Sequence, residues 1–158
     1  MTKIQIFIAR ETPADWVSRK IMKVIGADYS HIGIIVGTTV FHMVGKGFCE
    51  MHLEDMQKGH KLWTIDVTLQ MKDIHFILGY LEGRRGVSYS QSQYIGFLFP
   101  WLRFLVRNNR SKGVCSEEVA RFLLLCGKPE DVKDHVGKLG HLDFVSPKDV
   151  WEALKAEK

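Results

Sequence analysis

The chain has 158 residues, 46% of them hydrophobic and 25% charged, with a net charge of +4. That length and balance fit one soluble domain, residues 1–158, able to bury a core without covalent staples. Three cysteines, Cys49, Cys115 and Cys126, are too few and too far apart for a disulfide framework or a CxxC zinc site, and the odd count fits free thiols in a reducing compartment. The mild positive charge favours anionic partners such as membranes or acidic polymers without selecting one; no nucleic-acid partner is expected.

The N-terminal stretch places Ile4, Ile6 and Ile8 on one face of a strand that Arg10-Glu11 interrupts. It is too short and too polar for a signal peptide or a membrane span, so the cytoplasm is the expected location. Thr12-Pro13-Ala14-Asp15 predicts a helix start, with Thr12 as N-cap and Pro13 at the first helical position. Val17, Ile21, Val24 and Ile25 follow at helical spacing up to Gly26.

Tyr29-Ser30-His31-Ile32-Gly33-Ile34-Ile35-Val36 predicts a buried strand, which Gly37-Thr38-Thr39 turns back into a second, Val40 to Val44. His31 falls in the first arm of this hairpin and His42 in the second. Further strands are expected from Phe48 to Met51 and from Trp63 to Val67, separated by a polar loop containing Lys58, Gly59, His60 and Lys61. Met71, Ile74, Ile77, Leu78 and Leu81 then recur at helical spacing, ended by Gly83. Gly86-Val87-Ser88-Tyr89 reads as a turn into a longer connection. From Tyr94 to Val106 the chain is strongly apolar, but it is broken by Pro100 and is too short to span a bilayer. That segment reads either as core-packing helical turns or as a lid or membrane-touching surface over a lipophilic pocket. After the basic loop Arg107 to Lys112, Gly113-Val114-Cys115 opens a helix with Val119, Phe122, Leu123 and Cys126 on one face, stopped by Gly127-Lys128-Pro129. Ser146-Pro147-Lys148-Asp149 opens a last helix, with Ser146 as its N-cap.

The chemistry concentrates on one cysteine and two histidines. A thiolate is the reactive form of cysteine, and a helix N-terminus and a neighbouring imidazolium both lower a thiol's pKa. Cys115 has the first by position; His31 can supply the second if the fold brings them together. A catalytic imidazole needs another group to hold its tautomer, and with a tight turn between the strands His42 can sit beside His31 on one face. Cys49 and Cys126 read as structural, and His52, His60, His75, His135 and His141 show no ligand spacing and receive no role.

Four segments, in chain order, resemble one family. Tyr29-Ser30-His31-Ile32-Gly33-Ile34, Gly86-Val87-Ser88-Tyr89, Val114-Cys115-Ser116-Glu117-Glu118-Val119 and Ser146-Pro147-Lys148-Asp149-Val150 are similar to the motifs of circularly permuted papain-fold hydrolases. This is the YiiX-like group, related to NlpC-type peptidases and lecithin:retinol acyltransferase-like enzymes. The resemblance implies an α+β fold, in which an antiparallel, barrel-like sheet packs on the cysteine-bearing helix. It also implies Cys115 as nucleophile, His31 as general base and acid, and His42 as the third polar member. Tyr89, Ser30 and Ser116 would contact substrate or oxyanion. Where the family carries leucine this chain has Glu118, which is then expected on the exposed side of its helix.

The expected function is therefore a cysteine hydrolase that cleaves an amide, such as a cell-wall stem peptide, through an acyl-enzyme, with no cofactor and no resident metal. The alternatives are a lipid thioesterase or acyltransferase contacting lipid through Tyr94 to Val106, a non-catalytic binding module, and a zinc site made by His31, His42 and Cys115.

Overall fold

The computed structural model describes residues 2–69, 74–90, 95–96, 99, 112–125 and 145–156. The expectations for Met71, for most of the 94–106 segment, for residues 107–111, and for Cys126, Gly127-Lys128-Pro129, His135 and His141 lie outside the described residues.

The fold is α+β. Its centre is a five-stranded antiparallel sheet in the order β4-β3-β2-β1-β5. The strands are β1 (Thr2–Glu11), β2 (His31–Val36), β3 (Thr39–Val44), β4 (Gly47–His52) and β5 (His60–Leu69). Arg10 and Glu11 do not interrupt β1; they pair with Lys61 and His60, so the β1–β5 ladder runs the full length of both strands.

One sheet face carries Ile4, Ile6, Ile8, Ile32, Ile34, Phe41 and Met43 into the main core. Over it lie α3 (Ile74–Gly83), α4 (Cys115–Leu125) and α5 (Pro147–Lys155), which add Ile77, Leu81, Val119, Phe122, Leu123, Val150 and Leu154. The opposite face buries Phe7, Ala9, Ile35 and Val40 against Met56 of α2 (Leu53–Gly59). Period-two alternation thus sends His31, Gly33 and Ile35 to the α2 face and Ile32 and Ile34 to the α4 face. Gly33 has a packing reason: a Cβ there would lie 2.5 Å from Phe7 Cε1 and 2.8 Å from the Phe41 carbonyl.

Two element readings are corrected. The helix α1 (Trp16–Ile25) is capped by Asp15 rather than Thr12, and Asp15 Oδ1 accepts from the Ser18 N–H at 2.6 Å. Because β1 extends to Glu11, residues 12–14 serve as the corner out of the sheet, with the Thr12 N–H donating to Gly59 O at 2.9 Å. Leu53–Gly59 is a helix, and what reads as a polar loop ends in its last turn and in the first residues of β5. By contrast, α5 starts at Pro147 as expected, and Ser146 and Asp149 close a reciprocal capping box.

A short parallel pair, β6 (Ser88–Tyr89) and β7 (Lys112–Gly113), sets Tyr89 opposite Gly113, two residues before Cys115. The 84–87 turn is fastened to the β4 edge: Phe48 N–H donates to Val87 O at 2.9 Å and Gly86 N–H to Phe48 O at 3.2 Å. Gly47 permits this approach, since its φ is +114° and a Cβ would lie 2.6 Å from Val87 O. Among the described residues no helix is long and apolar enough to cross a membrane.

Candidate active site

Where β2 begins, the sheet opens. The β2–β3 ladder starts only at Gly33 opposite His42, and just before it the backbone amide of Ile32 lies where it favours the thiolate form of Cys115. The thiol is at the first residue of α4, where its own backbone amide and that of Ser116 act on it in the same sense. A helix start leaves such donors unspent, and here they surround one sulfur.

His31 and His42 project from neighbouring strands on the same face. His31 Nε2 and His42 Nδ1 are 2.9 Å apart, with the ring centroids at 5.1 Å and the planes at 70°. Phe7 closes the space behind His31, its ring centroid 6.0 Å away. With Nε2 of His31 committed to His42, the remaining Nδ1 is the nitrogen free to exchange a proton with a reacting group.

Cys115, His31 and His42 line one cleft of about 470 Å³, together with Ser30, Tyr89, Glu11, Asp15, Val17, Ser18, Ile21, Met43, Val44, Gly45 and His60. Of the residues expected at the site, Cys115, His31, His42, Tyr89 and Ser30 are brought together. Ser116 enters through its backbone amide alone, because its hydroxyl donates to the Val145 carbonyl and does not line the cleft. His60, to which the sequence assigned no role, is in the cleft wall; it opens β5, and only the β1–β5 register brings it there. No local spacing in the sequence signals it.

The electrostatics differ from the expected thiolate–imidazolium pair. Burial pushes the Cys115 thiol up to about 11, and the surrounding amides of Ile32, Ser116 and Cys115 offset only part of that rise. Burial likewise pushes His31 down to about 3, with further contributions from His42 and His60, and His42 down to about 4. Both are therefore neutral at rest, a thiol and an imidazole lining one cleft. Desolvation outweighs the helix terminus because the latter contributes a partial charge only.

Glu118 also departs from expectation. It is buried, and the Arg84 guanidinium grips it with two hydrogen bonds, Nε to Oε2 at 2.9 Å and the second through NH2. Glu117, likewise buried, pairs with Arg121 one turn on. Buried carboxylates need such partners, and the Arg84–Glu118 pair ties the turn before Tyr89 to the cysteine helix. Cys49 is a half-buried free thiol opposite His42 in the β3–β4 ladder. Among the described residues no group of three or more His, Cys, Asp or Glu side chains converges as metal ligands would.

A scan against protein-family models gives no match, and a search of curated proteins gives none.

Proposed function

We propose that this protein is a cysteine hydrolase of permuted papain-like type, cleaving an amide bond through an acyl-enzyme on Cys115. The observation that carries the reading is the convergence of a helix-start cysteine and a hydrogen-bonded histidine pair on one cleft. Because the resting pair is neutral, His31 Nδ1 takes the thiol proton as the sulfur attacks the carbonyl carbon, and not before. The C–S bond forms while the carbonyl π pair moves to oxygen. Backbone N–H groups at the start of α4 then stabilise the oxyanion in place of the thiol they contact at rest. Collapse expels the amine, which takes its proton from His31, and water deprotonated by the same ring releases the acid. His42 holds the His31 ring throughout, as the third member of such a site does. Free thiols at Cys49 and Cys115 suit a reducing, cytoplasmic setting.

A second reading, an acyl ester or thioester as donor, is favoured by the apolar wall of Val17, Ile21, Met43 and Val44 and by Trp16, which is 64% exposed at the start of the same helix. Mass-spectrometric turnover of stem peptides and of acyl thioesters, by wild type and by Cys115→Ala, tests both. Cleavage of peptides alone supports the first reading, cleavage of acyl donors alone supports the second, and equal turnover by Cys115→Ala refutes both.

A further inference from the structure

Helix α1 hides little of its apolar content. So short a helix does not persist alone in water, and it normally relies on an apolar stripe buried in the core. Of its six apolar side chains, Trp16, Val17, Ile21, Met22, Val24 and Ile25, only Ile25 is buried. Trp16 and Val24 are exposed, Trp16 by 64%.

The charge on that outer face has one sign. Arg19, Lys20 and Lys23 are exposed and fall three, four and seven residues after Trp16, so they flank it on the helix surface. Between Trp16 and Ile25 there is no Asp or Glu. A second apolar element meets this face: Lys20 Nζ lies 5.1 Å from the centre of the Phe99 ring. The Phe99 N–H donates to Ile95 O at 2.9 Å, and Ile95 is exposed. A tryptophan flanked by cations matches the two layers of an anionic bilayer surface, since indole is favoured at headgroup depth and lysine and arginine at the phosphates. A soluble acidic polymer would satisfy the cations but leave the indole in water.

We propose that α1, together with Ile95 and Phe99, docks on an anionic lipid membrane, with Trp16 at headgroup depth and Arg19, Lys20 and Lys23 on the lipid phosphates. The other flank of the helix gives the contact a use. Val17 and Ile21 line the cleft that holds Cys115, so docking on α1 sets a wall of that cleft beside the bilayer, where an acyl lipid can enter it. Docking stands on the surface alone; its use in substrate capture rests on the acyl-donor reading.

The test is sedimentation of the full chain with vesicles at about 0.1 M salt. Binding is expected to mixed phosphatidylglycerol–phosphatidylcholine vesicles and not to phosphatidylcholine alone, and it should fall away near about 1 M salt as screening tightens. Combining Arg19→Gln, Lys20→Gln and Lys23→Gln should weaken it about a hundredfold, and Trp16→Ala about tenfold. These side chains are exposed, so urea midpoints should stay near wild type. Lipid brominated near the headgroup should quench the indole emission of wild type and quench Trp16→Phe far less. No binding, equal binding to both vesicle types, or binding unchanged in the triple variant overturns the proposal. So does undiminished quenching in Trp16→Phe, which would put another segment on the bilayer. Binding to polyglutamate as tight as to vesicles and unaffected by Trp16→Ala would also overturn it, in favour of an acidic polymer. If vesicle binding follows the expectation while no acyl donor is turned over, the docking surface stands and the acyl-donor reading falls. Turnover of acyl donors without vesicle binding removes the docking surface and leaves that reading.

Discussion

The resting state of Cys115 allows a quantitative prediction. Its thiol is pushed up to about 11 from an ordinary value of 9.0 by burial. At pH 8 about one thiol in a thousand is then ionised, against about one in ten at the ordinary value, so alkylation should be about a hundredfold slower than in the unfolded chain. Iodoacetamide labelling from about pH 6 to pH 11, followed by digestion and mass spectrometry of the Cys115 peptide, gives the rate in folded and urea-unfolded protein. The folded rate should climb without a plateau through the neutral range. His31→Ala should slow it without introducing or removing a plateau, because a neutral imidazole lends the thiol no charge and acts only by taking its proton during attack. A rapid plateau below pH 7 that disappears in His31→Ala would mean a preformed ion pair, and the argument that desolvation dominates this site would fail.

Other expectations follow from the same geometry. His31 and His42 sit below their ordinary 6.5, at about 3 and about 4, so between those values and 6.5 the unfolded chain binds more protons than the folded one. Stability is therefore full above pH 6.5 and declines as pH falls, by on the order of 2–4 kcal/mol from pH 7 to pH 5. Urea titrations should show that slope in wild type, and a slope no smaller in the His31→Asn, His42→Asn double variant would count against it. Gly33→Ala should cost about 2 kcal/mol through overlap with the Phe7 ring, readable as a lowered urea midpoint; a neutral result would show that Phe7 can move aside. Glu118→Ala strands the Arg84 guanidinium and should cost about 3 kcal/mol, with much of the loss recovered in the Glu118→Met, Arg84→Met double variant. An additive double variant would mean the pair has no mutual energy. Ser146→Ala should remove about 1 kcal/mol by opening the capping box of α5, and thermal melts check it.

The hairpin and the cysteine helix were legible because their signals are local. His31 to Val36 is a continuous apolar run, the chain turns at Gly37 and returns through Val40 to Val44, and the ladder pairs Gly33 with His42. Ser146-Pro147 states a helix start in adjacent residues, and α5 begins there. What was not legible depends on register and burial. His60 reaches the cleft only because β1 runs ten residues against β5, and nothing near His60 in the sequence says so. Thr12 has the chemistry of a cap, but β1 continues past Arg10 and moves the helix start to Asp15. Glu118 reads as a surface residue until Arg84, 34 positions away, is placed against it. The charge state of Cys115 failed for a related reason. Position on a helix can be read from sequence, whereas the depth of burial that outweighs it cannot.

The central claim is that Cys115 accepts an acyl group with His31 as its base. Intact-mass and peptide mapping after brief exposure to 4-nitrophenyl acetate tests it most directly. The account predicts one acetyl group on Cys115 in wild type, none in Cys115→Ala, and strongly slowed labelling in His31→Ala. Acetyl groups on surface lysines alone, or equal labelling of Cys115 in wild type and His31→Ala, would contradict it.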